Sequence, residues 1–170
     1  MTELPKRKRI RLKEYSYSKN GAYHIVICSK DKQKIFSKVI DGDLFHPPKV
    51  ELTECGRIVD KYIYSTNKIQ GVTVDKYMIM PNHIHMILIL DRGSGKSRAP
   101  CPTADVLRDR SNDVIPHDVA TLKRFVNQDV GHNIFQDRYY DRVIRNQEEY
   151  TETYEYIENN PANWKYDKYF

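Results

Sequence analysis

One apolar run, His83–Leu90, constrains the fold of this chain more than any other feature. Its sequence, HIHMILIL, has no polar alternation after its first residues, which is typical of a strand inside a sheet whose two faces are both covered. The preceding segment, Val72–Ile79, is predicted to be another strand, joined to this one by a turn at Met80-Pro81-Asn82. The fold must therefore place other elements on both faces of a sheet.

Two segments place apolar side chains three or four residues apart, which is typical of a helix with one buried face. In the first, which follows Pro47-Pro48 and which residues 67–71 end, these side chains are Leu52, Cys55, Val59, Tyr62 and Ile63. In the second, which Gly131 caps, they are Val119, Leu122, Phe125 and Val126. A third helix begins at about Gln147, after the capping box of Asn146 and Glu149, and ends near Asn160.

Residues 23–28 and 138–144 are also predicted strands. The order is then strand, helix, strand, strand, helix, strand, followed by the third helix. We therefore expect an α+β fold: a ferredoxin-like βαββαβ antiparallel sheet with an extra C-terminal helix. Its first and third strands are central, its two crossover helices cover one face, and the third helix packs on the other face or at an edge.

Positive charge is concentrated at the N-terminus. The net charge of +5 lies within residues 1–13, whose cations are Lys6, Arg7, Lys8, Arg9, Arg11 and Lys13. Residues 1–20 are therefore predicted to be a basic arm that contacts nucleic-acid phosphates, with a merely solvated tail as the alternative. Residues 21–170 are predicted to be a single domain, in which the long Pro-containing segment 91–116 is a functional or disordered loop.

The sequence argues against several protein classes. The longest apolar run, residues 84–90, is far shorter than the roughly 20 residues of a membrane-spanning helix. The basic N-terminus is followed by polar and aromatic residues, unlike a signal peptide. The three cysteines, Cys28, Cys55 and Cys101, include no CxxC pair, which disfavours a disulfide framework and a structural zinc site. We expect a cytoplasmic protein with no membrane partner.

His83 and His85 are two residues apart on a predicted strand, so their side chains leave the same face with Cα atoms roughly 6.5 Å apart. Such a pair can bind one cation, or both rings can bond to nearby backbone. On the last helix, Tyr150 and Tyr154 belong to the buried stripe, whereas Tyr156 lies about 200° around the axis from Tyr154.

Tyr156 and Asn160, four residues apart, project side by side toward whatever the helix packs against. The available surface is the histidine face of the sheet. A cation held by two imidazoles and an amide oxygen suits Mg²⁺ or Mn²⁺ better than structural zinc. Such an ion can orient a phosphodiester for attack by a tyrosine, which is otherwise a poor nucleophile.

Three segments resemble motifs of a known family. Residues 77–88, YMIMPNHIHMIL, resemble the histidine-hydrophobic-histidine (HUH) motif of single-tyrosine transposases. Residues 139–146, YYDRVIRN, and 156–161, YIENNP, resemble the downstream motifs of the REP-associated tyrosine transposases. The resemblance extends from about Tyr23 to Trp164, and the three motifs occur in the family's order.

This resemblance implies a role for each of four residues. His83 and His85 match the metal-binding histidines, Asn160 the amide that completes the Mg²⁺ or Mn²⁺ site, and Tyr156 the catalytic nucleophile. It implies a DNA transposase that cleaves single-stranded DNA near a hairpin, such as a REP-like palindrome, through a 5′-phosphotyrosine link. Strands are then rejoined by the reverse attack. Monomer and homodimer both remain open.

Arg142 and Arg145, with the basic arm, are candidates for DNA-binding phosphate contacts. Tyr139, Tyr140 and Trp164 can stack on unpaired bases or pack in the core. Two other functions share the pattern. The same βαββαβ order builds the RRM-like sheet of non-catalytic single-stranded nucleic-acid-binding modules, although HIHMILIL stands where such modules have aromatic residues. The other is a metallohydrolase in which water attacks and no covalent intermediate forms.

Overall fold

The strand with the histidine pair lies in an antiparallel sheet of four strands. The computed structural model describes residues 19–91 and 114–167. In chain order its elements are β1 (Gly21–Cys28), β2 (Ser37–Ile40), β3 (Lys49–Leu52), α1 (Glu54–Thr66), β4 (Val72–Ile79), β5 (His83–Leu90), α2 (Val114–Val130), β6 (Tyr140–Ile144) and α3 (Gln147–Glu158). The sheet order β4-β5-β1-β6 confirms that β1 and β5 are central and that the fold is the expected α+β type.

Strand β5 is buried on both faces, as its sequence predicts. Met86 belongs to the larger core cluster, which α1 and α2 cover with side chains such as Val59 and Val126. Its neighbour Ile87 points to the opposite face, where Ile157 of α3 packs in a smaller cluster. The three helices therefore cover the faces expected of them. Among the described residues, every helix is too short or too polar to cross a membrane.

Some boundaries differ from the prediction. The short paired strands β2 and β3 form a separate two-stranded sheet that the sequence did not reveal. Helix α2 begins at Val114, so the last residues of the predicted loop 91–116 are helical. Residues 92–113 lie outside the described part of the chain, as do residues 1–18 of the predicted basic arm. Within the described residues, Cys28 and Cys55 form no disulfide.

The start of α3 shows how local sequence places the tyrosine helix. The Asn146 side chain accepts a hydrogen bond from the Glu149 backbone N–H, as predicted for an N-cap. The Glu149 carboxylate accepts from the N–H of Arg145, one residue before the position that a capping box uses. Because both bonds fix the first turn, they also fix which α3 side chains face the sheet.

We expect Gly56→Ala to destabilise the protein, although Gly→Ala inside a helix normally stabilises by up to about 1 kcal/mol. A Cβ on Gly56 would lie 1.9 Å from the Phe36 carbonyl oxygen, which also accepts from Thr53, the N-cap of α1. The helix and this backbone must separate, at a cost of about 1–3 kcal/mol. Urea unfolding of both proteins measures the difference, and a more stable variant would contradict the packing described.

Candidate active site

The two histidines of β5 lie side by side on the face of the sheet that α3 covers. Nε2 of His83 and Nε2 of His85 are 3.0 Å apart, and both rings are buried. The rings meet edge to face, with centroids 4.6 Å apart. The alternation of side chains along β5 explains this, because residues two apart share one face of a strand. The two nitrogens converge on one point, as ligands of a single cation would.

Each imidazole is oriented through its other nitrogen. Nδ1 of His83 lies 2.8 Å from Oδ1 of Asn82, so His83 donates there and its Nε2 keeps a lone pair. Nδ1 of His85 lies 3.0 Å from Nε2 of His24, on the neighbouring strand β1. The tautomer of His85 with a free Nε2 lone pair donates to His24. Partners of this kind fix ring orientation in metal sites.

Tyr156 of α3 extends over the same face. Its ring centroid is 5.3 Å from that of His85 and 6.3 Å from that of His24, both edge to face. The side chain is 43% exposed, so a substrate can reach it. Burial raises the pKa of the phenol, the Asp167 carboxylate raises it further, and a hydrogen bond with Asn160 opposes both. The group is therefore a neutral phenol near pH 7.

Asn160 follows α3, which ends at Glu158, yet its side chain still reaches the site. The residue is 2% exposed, and its buried Oδ1 has no hydrogen-bond partner within the part of the chain that is described. An unpaired buried amide oxygen is costly, and a cation ligand role would satisfy it. This oxygen and the two imidazole nitrogens together fit a divalent metal ion.

A cleft of about 620 Å³ opens at Tyr156. It is lined by His24, Tyr140, Arg142, Glu152, Thr153, Tyr156, Asn160, Asn163, Tyr166 and Asp167. The lining combines three phenols, an arginine, two amides and two carboxylates with His24, and it lies next to the His83 and His85 pair. Such a cleft can admit an anionic, partly aromatic substrate such as unpaired DNA and present its phosphate to Tyr156.

The residues expected to contact DNA have different surroundings. Arg142 lines the cleft, and its guanidinium lies 3.4 Å from the Glu149 carboxylate. Arg145 is exposed at the end of β6 and is absent from the cleft lining. The basic cations of the arm all lie outside the described residues, so their contacts stay predictions: Lys6, Arg7, Lys8, Arg9, Arg11 and Lys13.

The three aromatic candidates for base stacking also differ in their exposure. Tyr140 is exposed in the cleft and is available to a base. Tyr139 packs against the larger core cluster, and Trp164 is buried with its ring 6.0 Å from that of His83. The core-packing alternative therefore describes Tyr139 and Trp164.

Sequence reasoning missed two functional candidates, His24 and Asp167. His24 was a lone histidine in a predicted strand, and only the antiparallel pairing of β1 with β5 brings it beside His85. Asp167 follows the last helix in an irregular segment, and its side chain is buried 3.9 Å from Nε2 of His83. Alternation along β1 places His24 on the sheet face opposite to Ile25 and Ile27, but no periodicity points to Asp167.

Residues 17–160 match a protein family described as Transposase IS200 like. An uncharacterized protein of Haemophilus influenzae is 30% identical over 173 residues, covering 96% of this chain and 93% of the relative. A solved structure described as a REP-associated tyrosine transposase bound to a REP hairpin aligns with a TM-score of 0.62 at 18% identity. It covers 93% of this chain and 76% of that one.

A crystal structure of a putative transposase from Deinococcus radiodurans R1 also aligns, with a TM-score of 0.46 and 16% identity over 88% of this chain and 95% of that one. The alignment with a TM-score of 0.62 supports the same fold for the two chains. The family match spans both histidines, Tyr156 and Asn160.

Proposed function

The chain belongs to the IS200-like transposase family, and from this premise we propose that it is a metal-dependent enzyme that cuts and rejoins single-stranded DNA through Tyr156. One observation supports the proposal above all others. An exposed phenol of α3 lines the same cleft as a buried amide oxygen that has no hydrogen-bond partner among the described residues, and the phenol ring meets edge to face one of two imidazoles whose nitrogens converge. All four groups come from one chain in this arrangement, and the proposal holds for a monomer or a homodimer.

Tyr156 is proposed as the nucleophile. Its oxygen attacks the scissile phosphorus, and the phenol proton passes to water on the open side of the cleft. The bond from phosphorus to the 3′ oxygen breaks, and that oxygen takes a proton to become a free 3′-hydroxyl. The 5′ phosphate remains esterified to Tyr156. Because one phosphodiester replaces another, a 3′-hydroxyl can reverse the attack and rejoin strands without an external energy source.

His83, His85 and Asn160 would hold the metal ion. Imidazole and amide ligands with further oxygen ligands are compatible with Mg²⁺ or Mn²⁺. When bound, the ion supplies charge neutralisation at the phosphate that Tyr156 attacks. The chain's own residues do the rest: Asn82 and His24 hold the imidazole rings, and the sheet holds all of them in place.

The DNA substrate is proposed to be a hairpin with a single-stranded flank, as the structurally similar transposase is bound to a REP hairpin. The cleft is lined by Arg142 for the phosphate backbone and by Tyr140 for base stacking. Arg145 and the cations of residues 1–13 would contact phosphates outside the cleft. Their contribution would appear as a salt-dependent affinity.

The position of a label tests the mechanism. We expect the protein with Mn²⁺ to turn a 3′-labelled hairpin oligonucleotide into a labelled protein band that survives denaturation. The same oligonucleotide labelled at its 5′ end should give a shorter free fragment. The label follows the protein only in the first case, because Tyr156 keeps the 5′ phosphate. Removing the metal with EDTA should prevent both products.

Other outcomes would identify the alternatives. Free fragments from both labels, with no labelled protein, would indicate a hydrolase in which water attacks. A shifted band on a native gel without cleavage would indicate the RRM-like binding module. Either result would overturn the proposed transposase chemistry.

A further inference from the structure

The segment that follows α3 crosses the histidine face and brings the Asp167 carboxylate to it. Trp164 packs against His83, with Lys34 Nζ 5.5 Å from the centre of its indole ring. Lys165 lies 3.3 Å from the Asp41 carboxylate. Asp167 then has a side chain only 3% exposed, with Oδ2 3.9 Å from Nε2 of His83. Contacts of Trp164 and Lys165 therefore hold the segment in place just before Asp167.

One ring nitrogen each from His83 and His85 and one Asp167 oxygen lie within 4.8 Å of one another. Asn160 Oδ1, buried and without a hydrogen-bond partner among the described residues, belongs to the same cleft as Asp167. Burying a carboxylate is costly unless positive charge compensates it, and a divalent cation among these atoms would do so. Carboxylate and amide oxygens are also the ligands that Mg²⁺ and Mn²⁺ prefer.

We propose that Asp167 is a fourth protein ligand of the metal, supplied by the segment after the tyrosine helix. The inference rests on the proposed function in taking the two histidines as metal ligands. It extends that function, since the metal site then joins three parts of the chain: β5, the turn after α3, and residue 167. A carboxylate adds a negative charge, so it should raise the affinity for a divalent cation in the absence of DNA.

The test is a Mn²⁺ titration of the full chain without DNA. Binding is measured by calorimetry or from the electron paramagnetic resonance signal of free Mn²⁺. We expect Asp167→Asn to weaken Mn²⁺ binding by about 10- to 100-fold. Asp167→Glu, which keeps the carboxylate, should recover part of the loss. Glu148→Gln, which removes an exposed carboxylate at the start of α3, should leave the affinity unchanged.

Equal or tighter Mn²⁺ binding by Asp167→Asn would overturn the proposal. That result is expected if Asp167 only pairs with a protonated His83, because removing the carboxylate would then free the imidazole. Trp164 is the only tryptophan of the chain and lies in the segment itself. Its emission in the metal-free variant shows whether the segment is still packed. If the Trp164 emission of Asp167→Asn differs from that of the wild type, the Mn²⁺ affinity of Asp167→Glu distinguishes the two explanations. Asp167→Glu recovers part of the affinity only if the carboxylate is a metal ligand.

These measurements do not use DNA, so they separate the two proposals. Suppose that Asp167→Asn binds Mn²⁺ more weakly and that the wild-type protein forms no covalent DNA adduct. That result would support Asp167 as a metal ligand and overturn the tyrosine chemistry. If Asp167→Asn binds Mn²⁺ normally and the wild-type protein forms the adduct, the tyrosine chemistry is supported and the ligand role of Asp167 is overturned.

Discussion

Tyr156→Phe is expected to abolish the covalent protein–DNA adduct and to lower strand cleavage by about 1,000-fold or more, since the variant lacks the attacking oxygen. Folding should be little affected, because the aromatic ring is kept and only one oxygen of a half-exposed residue is removed. The measurement is the amount of labelled protein on a denaturing gel, with Mn²⁺ and a 3′-labelled hairpin oligonucleotide.

Other phenols provide controls for this prediction. Tyr140 lines the same cleft, so Tyr140→Phe asks whether a second tyrosine there can act as the nucleophile. Tyr64 is exposed on α1, on the far side of the sheet, and Tyr64→Phe should behave as wild type. An adduct that persists in Tyr156→Phe and is lost in Tyr140→Phe would move the nucleophile to β6. Peptide mapping of the adduct would then locate it.

His83→Ala is expected to lose most of its metal affinity and to cleave DNA on the order of 1,000-fold more slowly, with hairpin binding largely retained. The variant removes one of the two convergent nitrogens, and charge stabilisation by a metal ion accounts for several kcal/mol of a phosphoryl-transfer barrier. Hairpin binding should persist because arginine contacts to phosphates do not need the imidazole. Mn²⁺ titration, cleavage rate and a native gel shift measure the three effects.

The matched control is His132→Ala, which removes an exposed imidazole after α2. Because His83 is buried, its removal leaves a cavity, so thermal unfolding of both variants should accompany the assays. A folded His83→Ala protein that cleaves at the wild-type rate would remove the histidine pair from the reaction.

Periodicity explains what the sequence could predict. The two-residue repeat of a strand placed His83 and His85 on one face, and the 100° turn per helical residue separated Tyr156 from the stripe of Tyr150 and Tyr154. The structure has both arrangements, with Tyr150 and Tyr154 packed against the smaller cluster. These relations depend only on local geometry, so one sequence was enough.

The features that were missed depend on tertiary contacts. His24 meets His85 only through the register between β1 and β5, which no local pattern sets. Asp167 lies beyond Pro161, directly after the three-residue 3-10 helix Trp164–Tyr166, which is too short to show a hydrophobic period. The strands β2 and β3 have four residues each, too few for a recognisable alternation. Sequence periodicity therefore predicts which face of a strand or helix a side chain occupies, whereas its neighbours from other elements depend on the tertiary fold.

The hydrogen bond between His24 and His85 joins residues that are 61 positions apart, and Tyr156 enters the site from still further along the chain. Contacts of such long sequence separation form late in folding. A nascent polypeptide still short of residue 156 contains the histidine strand but lacks the proposed nucleophile. Under the proposed mechanism, strand cleavage should therefore require a chain that extends past residue 156.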